Sequence, residues 1–269
     1  MLPEHAGTSA QRDQQTVLSL GASRDLCPYR SSYIGLHHVA MNHDLSSRPQ
    51  EPALAVPQRP HRIALLAATL LGGLAALIVC GWALGMFVVP HLQGFDGRVG
   101  TAIVAQDQRM VNTMQAVSFL GSGPVIAIVG VAVALGLLRR RDVWSVVFIG
   151  VSAIGATALS SIVKLLVDRP RPPIEHFVVE GASFPSGHAT ESIAFYGALA
   201  AVVWRSPAAA WLRVTTVVIA VVLVSAIATS RLVLGVHYVS DVIAGLVLGG
   251  LWLALCVSST ARFERHSID

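Results

Sequence analysis

Three short polar clusters lie among long apolar runs and contain the residue types best suited to chemistry. They are "KLLVDRPRPP" at 164–173, "FPSGHATE" at 184–191 and "SRLVLGVHYVSD" at 230–241. Charged side chains inside apolar segments are costly in a bilayer, so they indicate a functional site. Histidine, arginine and carboxylate groups together are suited to proton transfer and phosphate binding. The clusters therefore predict a site that handles an anion.

The first cluster supplies cations. Lys164 is the only lysine in a chain with 19 basic residues, and it lies at the end of an apolar run. The prolines after it hold the backbone extended, which keeps Arg169 and Arg171 beside Lys164. Three cations at close range repel one another unless an anion lies among them. The alternative for Lys164 is a side chain that extends to the membrane interface and complements a helix C-terminus.

The second cluster begins a helix. Ser186 is placed as its N-cap, and the amides of Gly187 and His188 are free donors at a helix N-terminus, where phosphate binds. For Ser186 alone a plain helix cap is the simpler interpretation, and for His188 it is an interfacial histidine bonded to a carbonyl. Glu191, one turn later, is placed to orient His188 or to pair with a basic group.

The third cluster pairs an imidazole with a carboxylate. His237 and Asp241 are four residues apart, so on a helix they share one face and the Asp241 carboxylate accepts a hydrogen bond from one ring N–H. The other nitrogen is then basic, as in an oriented nucleophile or base. Arg231 adds a planar donor suited to phosphate, and Gly235 permits a tight turn. A purely structural His–Asp pair is the competing account.

The elements that position these clusters are membrane helices. The chain of 269 residues is 54% hydrophobic and 13% charged, whereas soluble domains are roughly 25% charged. We predict an all-α polytopic membrane protein, a six-transmembrane-helix bundle, with Pro90 ending the first span and an interfacial amphipathic helix over about 97–120. The alternative for this amphipathic helix is that it packs across the tops of the spans. The predicted spans are 63–89, 125–138, 143–167, 187–204, 212–229 and 239–257.

Loop charges predict the orientation. Arginines gather in loops that share one face if there are six crossings, which makes both termini cytoplasmic in an inner or plasma membrane. The hairpin between His188 and Ser230 crosses the bilayer and returns, so the three clusters meet at the periplasmic or extracellular face. Residues 1–60 are predicted to be a disordered cytoplasmic tail, 61–260 the six-span domain and 261–269 a short cytoplasmic tail. Translation from Met41 is an alternative that would place residues 1–40 outside the native protein.

Several classes of partner are not indicated. The net charge is +4, but no basic run is interleaved with aromatic residues, which argues against nucleic acid. The three cysteines have no metal-site or disulfide spacing. No obligate protein partner is evident from the sequence.

The ordered motifs resemble those of the type 2 phosphatidic acid phosphatase family, which is related to vanadium haloperoxidases. That pattern is a Lys, six residues and Arg-Pro, then Pro-Ser-Gly-His, then Ser-Arg, three residues, Gly, one residue, His, three residues and Asp. The chain matches every position, and the resemblance covers about residues 63–257. The matching residues are Lys164, Arg171, Pro172, Pro185, Ser186, Gly187, His188, Ser230, Arg231, Gly235, His237 and Asp241.

The resemblance implies a role for each motif residue. His237 would attack phosphorus to form a phosphohistidine, Asp241 would orient it, and His188 would protonate the leaving oxygen and then activate water. A cradle for the equatorial oxygens would come from Lys164, Arg171, Ser186, Gly187 and Arg231. No metal or other cofactor is implied. Arg169 matches no fixed position and is expected to be an auxiliary contact.

The expected function is hydrolysis of a lipid phosphate at the outer membrane face, with membrane lipids around the substrate. Undecaprenyl diphosphate, phosphatidylglycerophosphate and phosphatidate all fit. One alternative is a lipid phosphotransferase that uses the same intermediate. Another is a non-enzymatic anion transporter, which predicts charges through the mid-bilayer or two repeated halves, and neither is evident. A vanadate-dependent peroxidase fits poorly, because such family members are soluble.

Overall fold

The computed structural model describes residues 59–104, 106–173 and 179–265, in which all regular structure is helical. The predicted N-terminal tail and Met41 lie outside these residues, except for 59 and 60, as do the last four residues of the chain. The all-α prediction is confirmed. The helices are α1 (Arg59–Ala83), α2 (Val89–Ile103), α3 (Gln108–Phe119), α4 (Gly123–Arg139), α5 (Val143–Val167), α6 (Gly187–Arg205), α7 (Ala210–Val233) and α8 (Val239–Arg265).

The first apolar helix continues past its predicted end. A π-helical turn at Leu84–Val88 joins α1 to α2, and the helical segment His61–Ile103 is 43 residues long. Pro90 lies in the first turn of α2, where a missing N–H disrupts no bond that the turn needs. The prediction that Pro90 ends this helix is therefore wrong. The extension carries Asp96 into the protein interior.

The predicted single amphipathic helix over 97–120 is two helices. The backbone of Val104 is extended, with ψ at 129°, and it ends α2. Asp107 then caps α3, because its carboxylate accepts a 3.2 Å hydrogen bond from the Arg109 N–H. The local capping residue thus outweighs the apolar periodicity that runs through both helices. Helix α3 packs against α7.

Four helical segments of the described chain are long and apolar enough to cross a membrane, and the pair α3 and α4, bent by 41°, makes up to five. The four are His61–Ile103, Val143–Val167, Ala210–Val233 and Val239–Ala261. Helix α6 does not meet that standard, but it contacts α5, α7 and α8. A helix surrounded by other helices need not present an apolar face to lipid, so low apolarity does not decide whether α6 spans the membrane. The six-span count therefore stays a prediction.

Close packing of α5, α6 and α8 fixes the ends that carry the clusters. A Cβ added to Gly245 would lie 2.7 Å from the Ser186 carbonyl oxygen, and one added to Gly249 would lie 2.5 Å from that of Thr190. Helix α8 therefore lies directly on the first turns of α6. The Trp252 indole fills the space over Gly155 and donates a 2.9 Å hydrogen bond to the Ser152 carbonyl. These contacts need glycine, since any side chain would separate the helices.

Candidate active site

The three polar clusters meet at one end of the bundle. Lys164, in the last turn of α5, donates a 2.8 Å hydrogen bond from Nζ to the carbonyl of Ala182, just before the second cluster. The Ser186 N–H donates a 3.0 Å hydrogen bond to the carbonyl of Asp241 in the third cluster. His188 lies within electrostatic range of its charged neighbours and of the other imidazole. Those neighbours are Lys164, Arg171, Arg231 and His237.

His237 stands between a carboxylate and a guanidinium. It precedes α8 by two residues and follows a tight turn in which Gly235 has a φ of 68°. Its Nδ1 is 3.6 Å from Asp241 Oδ2, and its Nε2 is 3.4 Å from Arg171 Nη1. The distance to Asp241 is ion-pair range rather than the direct hydrogen bond expected from the sequence. His237 also lies outside the helix, because Asp241 Oδ2 accepts a 2.9 Å bond from the Tyr238 N–H at the helix start.

Burial keeps the His237 ring neutral. It lowers the pKa of His237 from 6.5 to about 4, although the nearby Asp241 carboxylate acts in the opposite direction. A neutral ring carries one proton, and Asp241 favours that proton on Nδ1. The lone pair then lies on Nε2, the nitrogen that faces Arg171. The geometry thus leaves a nucleophilic nitrogen on the cationic side of the ring.

Arg171 and Arg231 are both held in place by hydrogen bonds to the protein. Arg171 donates from Nη1 to the Val236 carbonyl at 2.8 Å and from Nε to the Gly181 carbonyl at 2.9 Å. Arg231 is 5% exposed and donates from Nη1 to Ser118 Oγ on α3. Its Nε is buried and has no acceptor among the residues that the structure describes. A planar guanidinium fixed in this way suits an oxyanion.

The N-terminus of α6 has room for a ligand. Ser186 is the fully buried N-cap residue, but its hydroxyl makes no capping bond and has no partner within the described parts of the chain. The plain helix cap is therefore not what its side chain forms. A Cβ added to Gly187 would meet its nearest protein atoms at 3.5 to 3.8 Å, on Glu191, Lys164 and Ser160. The surrounding protein atoms leave room for a side chain at Gly187, so packing within the protein does not require glycine there. Close approach of a ligand to the backbone would explain the glycine.

Glu191 does not orient His188 through a hydrogen bond in the described structure. Its Oε1 accepts a 3.3 Å bond from Ser160 Oγ on α5, and its charge attracts Lys164. Of the two alternatives raised by the sequence, the geometry favours the pairing with a basic group.

Asp96 belongs to the site, although sequence reasoning missed it. It is completely buried on α2, and Arg169 Nη2 forms a 2.8 Å ion pair with its Oδ2. Arg169 also pairs with Asp241 Oδ1. The expected auxiliary contact of Arg169 is thus an ion pair inside the protein. The only sequence signal for Asp96 was an acid within a helical segment that begins as an apolar span.

The assembled site has an excess of positive charge. Four cationic side chains face three carboxylates, and two imidazoles lie among them. Such a site can hold a tetrahedral oxyanion, present a ring nitrogen to it and offer a second ring for proton transfer. The cations are Lys164, Arg169, Arg171 and Arg231, and the acids are Asp96, Glu191 and Asp241.

Sequence comparison relates the chain to known phosphatases. Residues 145–265 match the PAP2 superfamily. Decaprenylphosphoryl-5-phosphoribose phosphatase of Mycobacterium tuberculosis is 38% identical over 130 residues, which are 46% of this chain and 64% of that protein. The chain therefore spans less than two thirds of that relative. Phosphatidylglycerophosphatase B of Bacillus subtilis is 27% identical over 177 residues, covering 65% of this chain and 87% of that protein.

A solved structure shares the fold. The PAP2-type phosphatidylglycerolphosphate phosphatase of Bacillus subtilis superposes with a TM-score of 0.62 at 23% identity, covering 72% of this chain and 97% of that one. The matched residues 145–265 include all three polar clusters, from Lys164 to Asp241. The resemblance predicted from the motifs is confirmed: this segment of the chain is similar to the PAP2 superfamily.

Proposed function

We propose that the protein is an integral membrane phosphatase that hydrolyses lipid phosphates through a phosphohistidine, without a metal ion. The observation that carries this proposal is the meeting of His237 and His188 with Lys164, Arg171 and Arg231 at one end of the bundle. Nucleophile, proton donor and anion cradle are the parts that phosphoryl transfer requires.

In the first step the phosphoryl group moves to the enzyme. His188 starts this step as the imidazolium, which the negative charge of the bound phosphate favours. His237 Nε2 attacks phosphorus, the bond from phosphorus to the leaving oxygen breaks, and His188 gives its proton to that oxygen. Asp241 stabilises the positive charge that develops on the His237 ring, since its Oδ2 is 3.6 Å from Nδ1. The products of this step are phosphohistidine and the free lipid alcohol, or the lipid monophosphate when the substrate is a diphosphate.

In the second step water replaces the histidine. The now neutral His188 takes a proton from water, the water oxygen bonds to phosphorus and the phosphorus–nitrogen bond breaks. Inorganic phosphate leaves, and His237 returns to its neutral form.

The cradle stabilises charge that develops on the equatorial oxygens. Arg231 Nε and Ser186 Oγ are buried donors without an acceptor in the described residues, so they need no rearrangement to bind an oxygen. Donors that are already oriented give the largest electrostatic benefit, because no reorganisation occurs during the reaction. Lys164 and Arg171 add charge at the same end of the bundle.

The proposed substrate is a lipid because an apolar cavity adjoins the site. A cavity of about 660 Å³ lies between α4 and α5. Its lining is mainly aliphatic, and Glu191 also lines it, one turn from the start of α6. We assign this space to a hydrocarbon chain of the substrate, with its phosphate at the α6 N-terminus. Polyprenyl diphosphates, phosphatidylglycerophosphate and phosphatidate are the candidate classes, consistent with the lipid substrates in the relatives' names.

The test is phosphate release by the purified full-length protein in detergent with EDTA present. The panel contains undecaprenyl diphosphate, phosphatidylglycerophosphate and phosphatidate, and His237→Ala is the comparison. We expect EDTA-resistant release from at least one lipid and a loss of roughly 10⁴-fold or more in His237→Ala. Equal rates for variant and parent would overturn the nucleophile assignment, and transfer of phosphate to an added alcohol with little release would favour the phosphotransferase.

The cavity assignment has its own test in Gly150→Leu. Gly150 lines the cavity, and a Cβ there meets no atom within 4 Å, so a leucine side chain has room to enter the cavity. We expect about a tenfold rise in KM for long-chain lipid phosphates and no change for a short, water-soluble phosphomonoester. Gly72→Leu on α1 is the matched control, because it also has open space but does not line this cavity. Equal effects on both substrates would refute the assignment.

A further inference from the structure

A buried polar network lies on the Asp241 side of His237, and the motif pattern accounts for only part of it. Arg169 donates from Nη2 to Asp96 Oδ2 at 2.8 Å and from Nη1 to both Ser240 Oγ at 2.8 Å and Asp241 Oδ1. The Ser240 N–H donates to Asp96 Oδ1 at 3.0 Å, and its hydroxyl donates to Asp96 Oδ2. The network thus joins α2, the segment after α5 and the first turn of α8.

The charged side chains of this network are buried. Asp96 and Asp241 are completely buried and Arg169 is 9% exposed. A buried charge is tolerated only when partners satisfy it, and each carboxylate here has the same guanidinium as its partner. The guanidinium also stacks on the ring of Tyr238, with Cζ 4.0 Å from the ring centre.

The two oxygens of Asp241 have different tasks. Oδ1 receives the hydrogen bond from Arg169, and Oδ2 faces His237 Nδ1 while it accepts the Tyr238 N–H. Rotation of the carboxylate is therefore fixed by Arg169, whose own position is fixed by Asp96. A cavity of about 340 Å³ borders Asp96, Arg169 and His237, so packing alone does not hold the guanidinium in place.

We infer that Asp96 and Arg169 are positioning residues for the nucleophile, acting through Asp241. Helix α2, which lies outside the matched family segment, thereby completes the site. This inference rests on the proposed function, because it assigns the nucleophile to His237. Neither residue contacts the phosphoryl group in this account.

The test is Asp96→Asn, measured as phosphate release from the preferred lipid. The amide keeps the shape but removes the charge that holds Arg169, so His237 and Asp241 lose their fixed geometry. We expect kcat to fall about 10- to 100-fold, the range for a small misplacement of a reacting group. KM and the inhibition constant of inorganic phosphate should stay within about twofold, because the cradle residues are untouched.

Asp107→Asn is the matched control. Asp107 is an exposed carboxylate on the neighbouring helix start, and asparagine caps a helix equally well. We expect kcat and KM of this variant to equal those of the parent.

Ser240→Ala covers the case in which Asp96→Asn does not fold. It removes one hydroxyl that bonds both Asp96 and Arg169, and we expect a kcat loss of about three- to tenfold at unchanged KM. An unchanged kcat in the folded variant, or a parallel rise in KM and in the phosphate inhibition constant, would overturn the inference. A parent protein that releases no phosphate from any lipid would instead overturn the proposed function.

Discussion

Two polar regions flank His237, and they differ in how completely their groups are satisfied. On the Asp241 side, Asp96, Arg169 and Ser240 bond one another in a closed set. On the cradle side, Ser186 Oγ and Arg231 Nε are buried without acceptors among the described residues. A polar group left unpaired in the interior costs about 1–3 kcal/mol. The difference indicates that the first region fixes the position of the proposed nucleophile and that the second is shaped for a ligand.

The largest effect that separates the two regions is expected for Arg231→Ala. Removing an oriented donor to the transition state costs about 2.7–4 kcal/mol, so kcat/KM should fall roughly 10²–10³-fold in the phosphate-release assay. Arg213→Ala is the matched control, because Arg213 lies on the same helix and also has a buried Nε without a partner in the described chain. It lies in the first turn of α7, whereas Arg231 lies in the last, and activity should be unchanged. A similar loss in both variants would assign Arg231 to helix packing.

Smaller effects are expected for Ser186→Ala on the cradle side and Ser240→Ala on the Asp241 side. The two substitutions should have different effects on the stability of the protein. Ser186→Ala removes a buried hydroxyl that has no partner in the described structure, so stability should stay equal or rise by up to about 1 kcal/mol while kcat/KM falls about tenfold. Ser240→Ala removes the hydroxyl that accepts from Arg169 and donates to Asp96, so stability should fall by about 1–2 kcal/mol. Thermal unfolding in detergent measures both. A destabilised Ser186→Ala would mean that its hydroxyl belongs to the fold rather than to the ligand site.

The smallest expected signal is the titration of His237 in the ligand-free protein. Burial lowers its pKa to about 4 from 6.5, so the ring stays neutral at neutral pH. Below pH 6.5 the unfolded chain binds the proton and the folded chain does not, so stability from this group is complete above 6.5 and is lost as pH falls towards 4. The charged groups within range are Lys164, Arg171, Arg231 and Asp241.

Nitrogen NMR of histidine-labelled protein measures this titration, and His237→Asn assigns the signal. A midpoint near 4 supports a ring that is ready to attack phosphorus. A midpoint at or above 6.5 would mean that water reaches the ring or that the carboxylate dominates its surroundings.

The sequence predicted the cradle side of the site far better than the Asp241 side. Lys164, His188 and His237 have types and spacings that are unusual in apolar segments, and helix geometry alone places them at one end. The same periodicity predicted α5, α7 and α8 to within a few residues at most boundaries. These features depend on residues that are close together in the sequence, so residue spacing and helical periodicity can predict them.

The features that were missed depend on long-range packing. Pro90 predicts a helix end, but the helix continues through the π-helical turn before it into α2. Helix α2 then places Asp96 at the site. The bond between Asp96 and Ser240 joins residues 144 positions apart, and no spacing rule predicts it. The shift of His237 out of α8 likewise follows from the bond between Tyr238 N–H and Asp241, which replaces the expected contact with the imidazole.

The central claim is that His237 forms a bond to phosphorus, and trapping that bond tests it most directly. The experiment uses His188→Ala, which slows both proton transfers, with a phosphorus-labelled lipid phosphate, rapid denaturation at alkaline pH and mass spectrometry of the peptides. The account predicts acid-labile phosphate on His237, formed within one turnover and lost in the His237→Ala, His188→Ala double variant. Label on any other residue, or turnover in the parent protein without label on His237, would contradict the account.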